Sequence, residues 1–277
     1  MIQDIEPRNF SNKYENLTPQ SGDTVFTFRG QNRQKGEVLC RLEGDSLSFP
    51  KMSEMGELNT QYLFSIDDDR FFLNISDEYE IPEGYEFMDI NVVRKGYEIV
   101  ASFAGMTAFH LFMFYRESRF CGVCGTETVH SEKLRMKQCP KCGQMHFPKV
   151  APAVIIGLRK GDSLMVSHYA NREYKGQALL AGFCEIGETP EQTVIREVYE
   201  EVGLKAVNVE YFGSQPWGLD ANLLLGYFCD LEGNDSVKLD EEELASAGFV
   251  KRNEITQPES LHSLTATMID AFIRGER

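Results

Sequence analysis

The chain has 277 residues, of which 42% are hydrophobic and 26% charged, as is typical of one large globular domain or two to three small ones. Its formal charge of −15 argues against tight, sequence-independent binding to nucleic acid, because that binding needs clustered Lys and Arg. The N-terminus lacks the order of a signal peptide, and the longest apolar stretch, residues 108–115, is too short to span a bilayer. We therefore expect a cytoplasmic protein without membrane partners.

Residues 1–118 are predicted to form a small mixed, β-rich N-terminal domain. Runs of β-forming residues between turn residues predict strands at 24–28 and 38–42 and a hairpin from 62–66 and 70–75. Between residues 99 and 115 apolar side chains run almost all round a helical wheel, which predicts a helix buried on several sides. Because no catalytic motif is visible in this region, we expect a scaffold or dimerisation domain.

Four of the seven cysteines form two close pairs within residues 119–148. The pattern is C-x2-C, fourteen residues and C-x2-C, with Gly125 and Gly143 directly after the pairs. Two such tight turns give the tetrahedral sulfur cage that Zn²⁺ accepts, and four protein ligands leave no position for water, so the zinc should be structural. His130 and His146 are then bystanders. The predicted zinc ligands are Cys121, Cys124, Cys139 and Cys142.

From residue 149 to residue 277 strands and helices alternate, without the glycine-rich fingerprint of a Rossmann fold. Thr189, Pro190 and Gln192 supply an N-cap, a first-turn proline and a capping box, and Gly203 supplies a stop. We therefore predict a helix from about residue 190 to residue 202. Apolar runs predict strands at 151–158, 163–168, 207–212 and 223–229, and a last helix at 263–274.

The helix predicted at 190–202 carries three glutamates, Glu197, Glu200 and Glu201. Residues three and four apart on a helix lie roughly 5–6 Å apart at Cβ, so these carboxylates can be directed at one place. Clustered carboxylates need a cation, and hard divalent ions prefer oxygen ligands between carboxylates and substrate phosphates. The spacing therefore predicts a catalytic Mg²⁺ or Mn²⁺ and a substrate that contains phosphate.

Residues 182–204 match the Nudix box, G-x5-E-x7-R-E-U-x-E-E-x-G-U with U aliphatic, at all nine specified positions. The chain thus resembles the Nudix hydrolases. This resemblance implies an α+β protein with an α/β/α sandwich built on a mixed sheet. It also implies that the enzyme hydrolyses a nucleoside diphosphate linked to a further group. The resemblance implies that Arg196 pairs with Glu188 and orients the metal-binding helix, and that Glu200 or Glu201 is the general base. The matched positions are Gly182, Glu188, Arg196, Glu197, Val198, Glu200, Glu201, Gly203 and Leu204.

The ribbon before the box, the link HFPKVAP at 146–152 and SQPW at 214–217 are similar to the bacterial NADH pyrophosphatase family. This resemblance implies cleavage of NAD(H) into AMP and nicotinamide mononucleotide, a homodimer and, in some members, removal of NAD caps from RNA. It implies that Phe183 stacks on the nicotinamide, that Phe147 reaches the substrate from the partner subunit, and that Glu243 is a further metal ligand unless it is only a surface acid. The other implied substrate-binding residues are Ile155, Gln215, Trp217, Asn222 and Ala266, with Trp217 equally suited to packing.

The family motif continues after SQPW as P-F-P-x-S, whereas this chain has Gly218 to Asn222, with Asn222 in place of the serine. The loss of two prolines and a phenylalanine should reshape the loop, although the Asn222 amide can still donate a hydrogen bond to a phosphate or ribose. NAD(H) is the first substrate hypothesis, and ADP-ribose, FAD or NAD-capped RNA are alternatives. A zinc-ribbon binding module with a vestigial Nudix domain is a third hypothesis, against which the complete glutamate set argues.

Overall fold

The computed structural model describes residues 1–30, 35–94, 98–170 and 176–277. Their contacts define two compact units. The N-terminal unit comprises residues 2–149 and 217–221, and the C-terminal unit comprises Met1 and residues 150–216 and 222–277. The β-rich region and the cysteine pairs lie in the same unit, so the predicted boundary between residues 118 and 119 stays a prediction.

The N-terminal unit is built on two four-stranded sheets, a three-stranded sheet and one long helix. Its elements are β1 (Phe10–Ser11), β2 (Thr24–Phe26), β3 (Phe28–Gly30), β4 (Gly36–Glu43), β5 (Ser46–Ser48), α1 (Met52–Met55), β6 (Thr60–Ile66), β7 (Asp69–Asn74), β8 (Glu86–Asp89), α2 (Ile99–Glu117), β9 (Val129–His130), β10 (Lys137–Gln138) and β11 (Met145–His146). The sheet orders are β1-β6-β7-β2, β3-β4-β5 with β8 beside β4, and β11-β10-β9.

The predicted hairpin is confirmed, because β6 and β7 pair antiparallel. The single strand predicted at 24–28 is instead two strands that belong to different sheets. The chain changes sheet at Thr27, which is buried and whose carbonyl accepts the Leu39 N–H at 2.9 Å. One run of β-forming residues thus contributes to two sheets, because β2 pairs with β7, far along the chain, whereas β3 pairs with the next strand, β4.

Helix α2 is the apolar centre of the N-terminal unit. Phe103, Phe109 and Phe114 are all buried in its core, as predicted for a helix covered on several sides. The helix has 19 residues, more than the apolar stretch that the sequence shows, and by length and composition it is the one described helix that is able to cross a membrane. Of the most apolar stretch of this helix, 61% is buried, so most of it is covered by the rest of the protein.

The C-terminal unit is a six-stranded mixed sheet with two helices. Its elements are β12 (Ala151–Lys160), β13 (Ser163–Tyr169), β14 (Leu180–Phe183), α3 (Pro190–Val202), β15 (Lys205–Trp217), β16 (Asn222–Glu232), β17 (Leu244–Lys251) and α4 (Leu264–Ile273). The order is β15-β16-β12-β13-β17, with β14 beside β12; β12 runs parallel to β16 and antiparallel to β13 and β14.

The two faces of this sheet bury separate apolar cores. On β12, Val154 and Ile156 pack with α3, whereas Ile155 packs with α4. Side chains alternate between faces along a strand, so a continuous apolar run fits a strand covered on both sides. The predicted α/β/α sandwich with a mixed sheet is therefore confirmed. Strand β15 is longer than the predicted 207–212, and its last residues are the SQPW segment.

Candidate active site

Helix α3 begins and ends where the sequence predicts. The Gln192 N–H donates to Thr189 Oγ1 at 3.3 Å, and the Thr189 N–H donates to Gln192 Oε1 at 2.8 Å, which completes the capping box. The helix ends at Gly203 in the left-handed conformation. Val194 and Val198 are fully buried against the sheet, which fixes the rotation of the helix and hence the direction of its glutamates.

Arg196 connects three glutamates of the box, Glu188, Glu197 and Glu200. Its guanidinium donates to both carboxylate oxygens of Glu188, at 2.7 and 2.9 Å, in the pair that the resemblance implies. Its Nη1 donates at 2.8 Å to one oxygen of Glu197 and at 2.8 Å to one oxygen of Glu200. Its Nη2 also donates to the Phe183 carbonyl at 2.9 Å. The planar guanidinium of Arg196 thus links α3 to the loop at Glu188 and to the end of β14 at Phe183.

Glu188 is held by more than Arg196. Thr193 Oγ1 donates to its Oε2 at 2.9 Å, and the Glu185 N–H donates to the same oxygen at 3.2 Å. The Arg196 hydrogen bonds, supported by these two donors, lower the pKa of Glu188 to about 2. Sequence reasoning missed Thr193, which is fully buried; the only signal for it is a hydroxyl one helical turn before Arg196.

The ion pair predicts a specific pH dependence of stability. The pKa of Glu188 falls from 4.5 to about 2 on folding, so its charged form stabilises the native state above pH 4.5, and this contribution is lost as the pH falls towards 2. We expect the difference in melting temperature between the wild type and Glu188→Gln to be constant from pH 7 to 5 and to shrink at lower pH. Asn253→Ser, at an exposed site, is the control. A difference that stays constant down to pH 3 would contradict the assignment.

Glu197 lies in a cradle that Gly182 provides. A Cβ atom at Gly182 would collide with the Glu197 carboxylate, so a larger residue at the first position of the box would displace this carboxylate from its present place. The Glu197 side chain is 12% exposed. Burial, with the charges of Glu200 and Glu243 as further contributors, raises its pKa, although Arg196 acts in the opposite direction. A buried carboxylate beside other carboxylates favours a cation, so this donor set fits a hard divalent ion.

The remaining glutamates differ in exposure. Glu201 is 3% exposed, and the Ala181 N–H donates to its Oε1 at 3.4 Å. The Glu200 side chain is 55% exposed, and Glu243 is exposed in the turn before β17 yet close enough to influence Glu197. Among the described residues, only the four cysteines bring three or more potential metal-ligand atoms within 4.8 Å of one another. In the structure Glu197 and Glu200 both accept a hydrogen bond from Arg196 Nη1.

Three predicted substrate-binding residues lie on the α4 face of the sheet, opposite the face that carries α3 and its glutamates. Ile155 packs on the α4 side and pairs with Ala181. Gly182 faces Glu197 of α3, so its neighbour Phe183 lies on the α4 side together with Ile155. Asn222 is on the same side, because it alternates in phase with Phe228, which packs against α4. The Phe183 side chain is 54% exposed and Asn222 is buried. The sheet edge therefore has carboxylates on one face and an exposed ring on the other.

Gln215 and Ala266 lie at the start of α4. The Gln215 side chain is fully buried; its Nε2 donates to the His262 carbonyl and its Oε1 accepts the Leu264 N–H, both at 2.8 Å. Ala266 is half-buried in the first turn, and its N–H donates to Ser263 Oγ at 3.2 Å. The structure thus shows Gln215 fixing the entry to the helix, and its contact with substrate stays a prediction.

Residues 217–221 pack within the N-terminal unit. Leu219 is 5% exposed in its core, and a Cβ atom at Gly218 would meet the backbone of α2. The Trp217 indole N–H donates to Asp220 at 3.1 Å, and the Arg94 guanidinium lies 5.2 Å from the Trp217 ring centroid. The segment that replaces P-F-P-x-S is thus a packing element with its own internal bonds. These contacts favour the packing alternative for Trp217.

Phe147 also lies in the N-terminal unit. It is 51% exposed and lines a cavity of about 200 Å³ with His110, Phe120 and His146. His130, the other predicted bystander, packs against Tyr115 with ring centroids 5.1 Å apart and the ring planes tilted by 39°. The reach of Phe147 to a substrate of the partner subunit stays a prediction.

The four cysteines form a closed site that fits zinc. The Sγ distances are 3.6 Å for Cys121 to Cys142, 3.5 Å for Cys124 to Cys139 and 3.6 Å for Cys124 to Cys142. A tetrahedral ion with Zn–S bonds of about 2.3 Å requires Sγ separations of about 3.8 Å. In each tight turn the N–H of the following glycine bonds the carbonyl of the first cysteine, with a positive φ at that glycine. The predicted zinc ribbon is confirmed.

Comparisons with known proteins agree with this geometry. Residues 148–272 match the family model of the NUDIX domain, and residues 116–147 match that of the NADH pyrophosphatase zinc ribbon domain. A protein named NAD-capped RNA hydrolase NudC from Mannheimia succiniciproducens is 32% identical over 225 residues, which cover 77% of this chain and 78% of that protein. The protein of the same name from Pectobacterium atrosepticum is 38% identical over 144 residues, 52% of this chain and 55% of that protein, so the match spans about half its length.

Among solved structures, a NUDIX hydrolase from Nitrosomonas europaea aligns with 57% of this chain and 93% of that chain, with 21% identity and a TM-score of 0.45. The sandwich, its glutamate-bearing helix and the Arg196 cluster define an enzyme that hydrolyses phosphate anhydrides. The chain belongs to the NADH pyrophosphatase family of Nudix hydrolases, and its zinc ribbon precedes its NUDIX domain.

Proposed function

We propose that this Nudix hydrolase cleaves the diphosphate bond of NAD(H) with Mg²⁺ or Mn²⁺, giving AMP and nicotinamide mononucleotide. The observation that carries the proposal is the sheet edge at Gly182 and Phe183. There, Glu197 meets Gly182 on one face, while the exposed Phe183 ring lies on the other. Arg196 binds both the glutamates and the Phe183 carbonyl. A substrate with a diphosphate and an aromatic ring matches these two features, and the relatives named for hydrolysis of NAD-capped RNA support it.

Glu197, Glu200, Glu201 and Glu243 would hold the divalent ion. When bound, that ion neutralises phosphate oxygens and lowers the pKa of a water molecule. The reaction forms a bond from the water oxygen to one phosphorus and breaks that phosphorus's bond to the bridging oxygen, which leaves with the other phosphate. Glu200 or Glu201 accepts the proton that the water loses. Glu188 serves as a support, because both of its oxygens are bound to Arg196.

A substrate panel tests this proposal. The purified chain is incubated with Mg²⁺ or Mn²⁺ and with NADH, NAD, FAD or ADP-ribose, and products are separated by chromatography. We expect AMP and reduced nicotinamide mononucleotide from NADH, and no products after addition of EDTA. Faster turnover of ADP-ribose or FAD than of NAD(H) would favour the alternative substrates. No turnover of any dinucleotide would overturn the proposal and favour a binding module with a vestigial catalytic domain.

NAD-capped RNA is the second candidate substrate, because one part of this acidic chain is basic. Residues 116–149 contain seven Lys or Arg and three Glu, a formal charge of +4 before zinc and thiolates are counted, against −15 for the chain. Phe120 and Phe147 are 54% and 51% exposed in the same segment. Basic groups and exposed rings together suit single-stranded nucleic acid. If RNA binds here, kcat/KM for NAD-capped RNA will fall more steeply with salt than kcat/KM for NAD.

We also propose a homodimer, which rests on the family resemblance and gives Phe147 its route to substrate. Sedimentation of the purified chain tests it, and Phe147→Ala tests the contribution of the ring. A monomer that turns over NAD(H) at full rate would contradict both parts.

A further inference from the structure

We propose that Asn222 makes this enzyme select a ring that carries a primary carboxamide over the same ring carrying a carboxylate. The inference rests on the proposed function, since it concerns the same substrate. Asn222 is the first residue of β16 and lies opposite Ala151 on β12. The family motif has serine at this position, so the residue is a feature of this chain.

The side chain of Asn222 is buried, and the described residues leave its amide oxygen without a hydrogen bond. Asn222 is 9% exposed, and its Oδ1 atom is buried without a hydrogen-bond partner in the part of the chain that the structure describes. A buried polar atom without a partner is costly, so such an atom is rare unless a ligand, ion or water satisfies it. A ligand with a hydrogen-bond donor would supply the missing contact.

Asn222 and the exposed ring of Phe183 lie on one face of three adjacent strands. Leu224 on β16, Ala153 on β12 and Phe183 on β14 are aligned across the sheet, and Asn222 precedes Leu224 by two residues. With strands about 4.8 Å apart and a rise of about 3.3 Å per residue, the Cα atoms of Asn222 and Phe183 are roughly 12 Å apart. That separation accommodates an aromatic ring on Phe183 whose substituent is directed towards Asn222.

The chemistry of an amide selects that substituent. An asparagine amide offers an acceptor oxygen and two N–H donors, and a primary carboxamide offers the same groups. When the two amides face each other, each donates an N–H to the oxygen of the other, which gives a pair of hydrogen bonds. This complementarity holds whichever way the Asn222 amide is turned. A carboxylate offers only acceptors, so it would leave Oδ1 without a donor and place a negative charge beside it. Serine, with one rotatable hydroxyl, bonds either group.

Steady-state kinetics of the full chain with three substrates test the proposal. NAD carries the carboxamide, nicotinic acid adenine dinucleotide carries a carboxylate, and ADP-ribose carries no ring. The variants are Asn222→Ser and Asn222→Thr, with Asn253→Ser as the control at an exposed site of the same unit. For the wild type we expect kcat/KM to be at least about tenfold higher for NAD than for the carboxylate analogue, because a site that bonds a group rejects its mismatch. Both Asn222 variants should reduce that ratio to about threefold or less, and they should lower kcat/KM for ADP-ribose less than kcat/KM for NAD.

A wild-type ratio that survives in both variants would overturn the proposal. So would an equal loss for all three substrates, since that result would assign Asn222 to the shared adenosine diphosphate part. If the wild type turns over no dinucleotide, the proposed function fails, and calorimetry with nicotinamide mononucleotide and nicotinic acid mononucleotide tests Asn222 separately. Preferential binding of the carboxamide ligand that disappears in Asn222→Ser supports the role of Asn222, and equal binding of both ligands refutes it.

Discussion

Glu201→Gln is expected to lose most turnover while the protein stays folded. Glu201 is 3% exposed on the glutamate face of α3, and glutamine has the same shape but neither binds a divalent ion well nor accepts a proton. Loss of an ion ligand or a general base should lower kcat on the order of a hundredfold or more. Ala181 can still donate to the amide oxygen, so the melting temperature should change by less than about 4 °C, the equivalent of about 1 kcal/mol.

Glu191→Gln is the matched control for this substitution. Glu191 lies in the first turn of the same helix, where it accepts a hydrogen bond from Tyr227 at 3.1 Å. Full activity of Glu201→Gln would refute a catalytic role for Glu201. If Glu200→Gln, at an exposed position, is the inactive variant instead, the general base is Glu200.

Cys139→Ser is expected to remove the zinc and to destabilise the N-terminal unit. Cys139 is 1% exposed and is surrounded by the other three thiolates. Binding of zinc by four thiolates contributes directly to folding, so we expect a loss of at least about 3 kcal/mol, roughly 10 °C in melting temperature. Metal analysis should find about one zinc per wild-type chain and less than half that amount in the variant.

Cys184→Ser, outside the ribbon, is the control and should retain its zinc. Exchange of zinc for Cd²⁺, another ion that four thiolates accept, should preserve turnover because the closed site has no position for water. Turnover that depends on the identity of this ion would contradict a structural role.

The features that depend on neighbours in sequence were predictable. The limits of α3 follow from Thr189, Pro190 and Gly203, whose caps act within one turn of the helix. The ribbon follows from two cysteine pairs, because each tight turn closes over four residues. It was also predictable that the side chains of β12 enter two separate cores, since a continuous apolar run indicates a strand covered on both faces.

The features that depend on distant partners were not predictable from a single sequence. Thr27 lies between two strands that belong to different sheets, and the first of them pairs with β7, far along the chain. Gln215 is an example within the site: the SQPW motif marks it as functional, but its amide is bonded to residues 262 and 264, nearly fifty positions later. Only the assembled fold shows which hydrogen-bonding atoms of a side chain are already occupied.

The sequence by itself determined the chemistry of this protein: the box glutamates, the arginine that connects them and the four thiolates. Short-range spacing is sufficient for the glutamates and the thiolates, because a helix or a tight turn converts spacing directly into direction, whereas the role of the arginine was implied by the resemblance to the Nudix box. The tertiary structure alone decided that the glutamates and Phe183 lie on opposite faces of one sheet edge, that Trp217 is bonded to Asp220, and that Asn222 keeps a buried oxygen without a hydrogen-bond partner among the described residues. Those facts arise from packing between residues far apart in the chain, which no local pattern records.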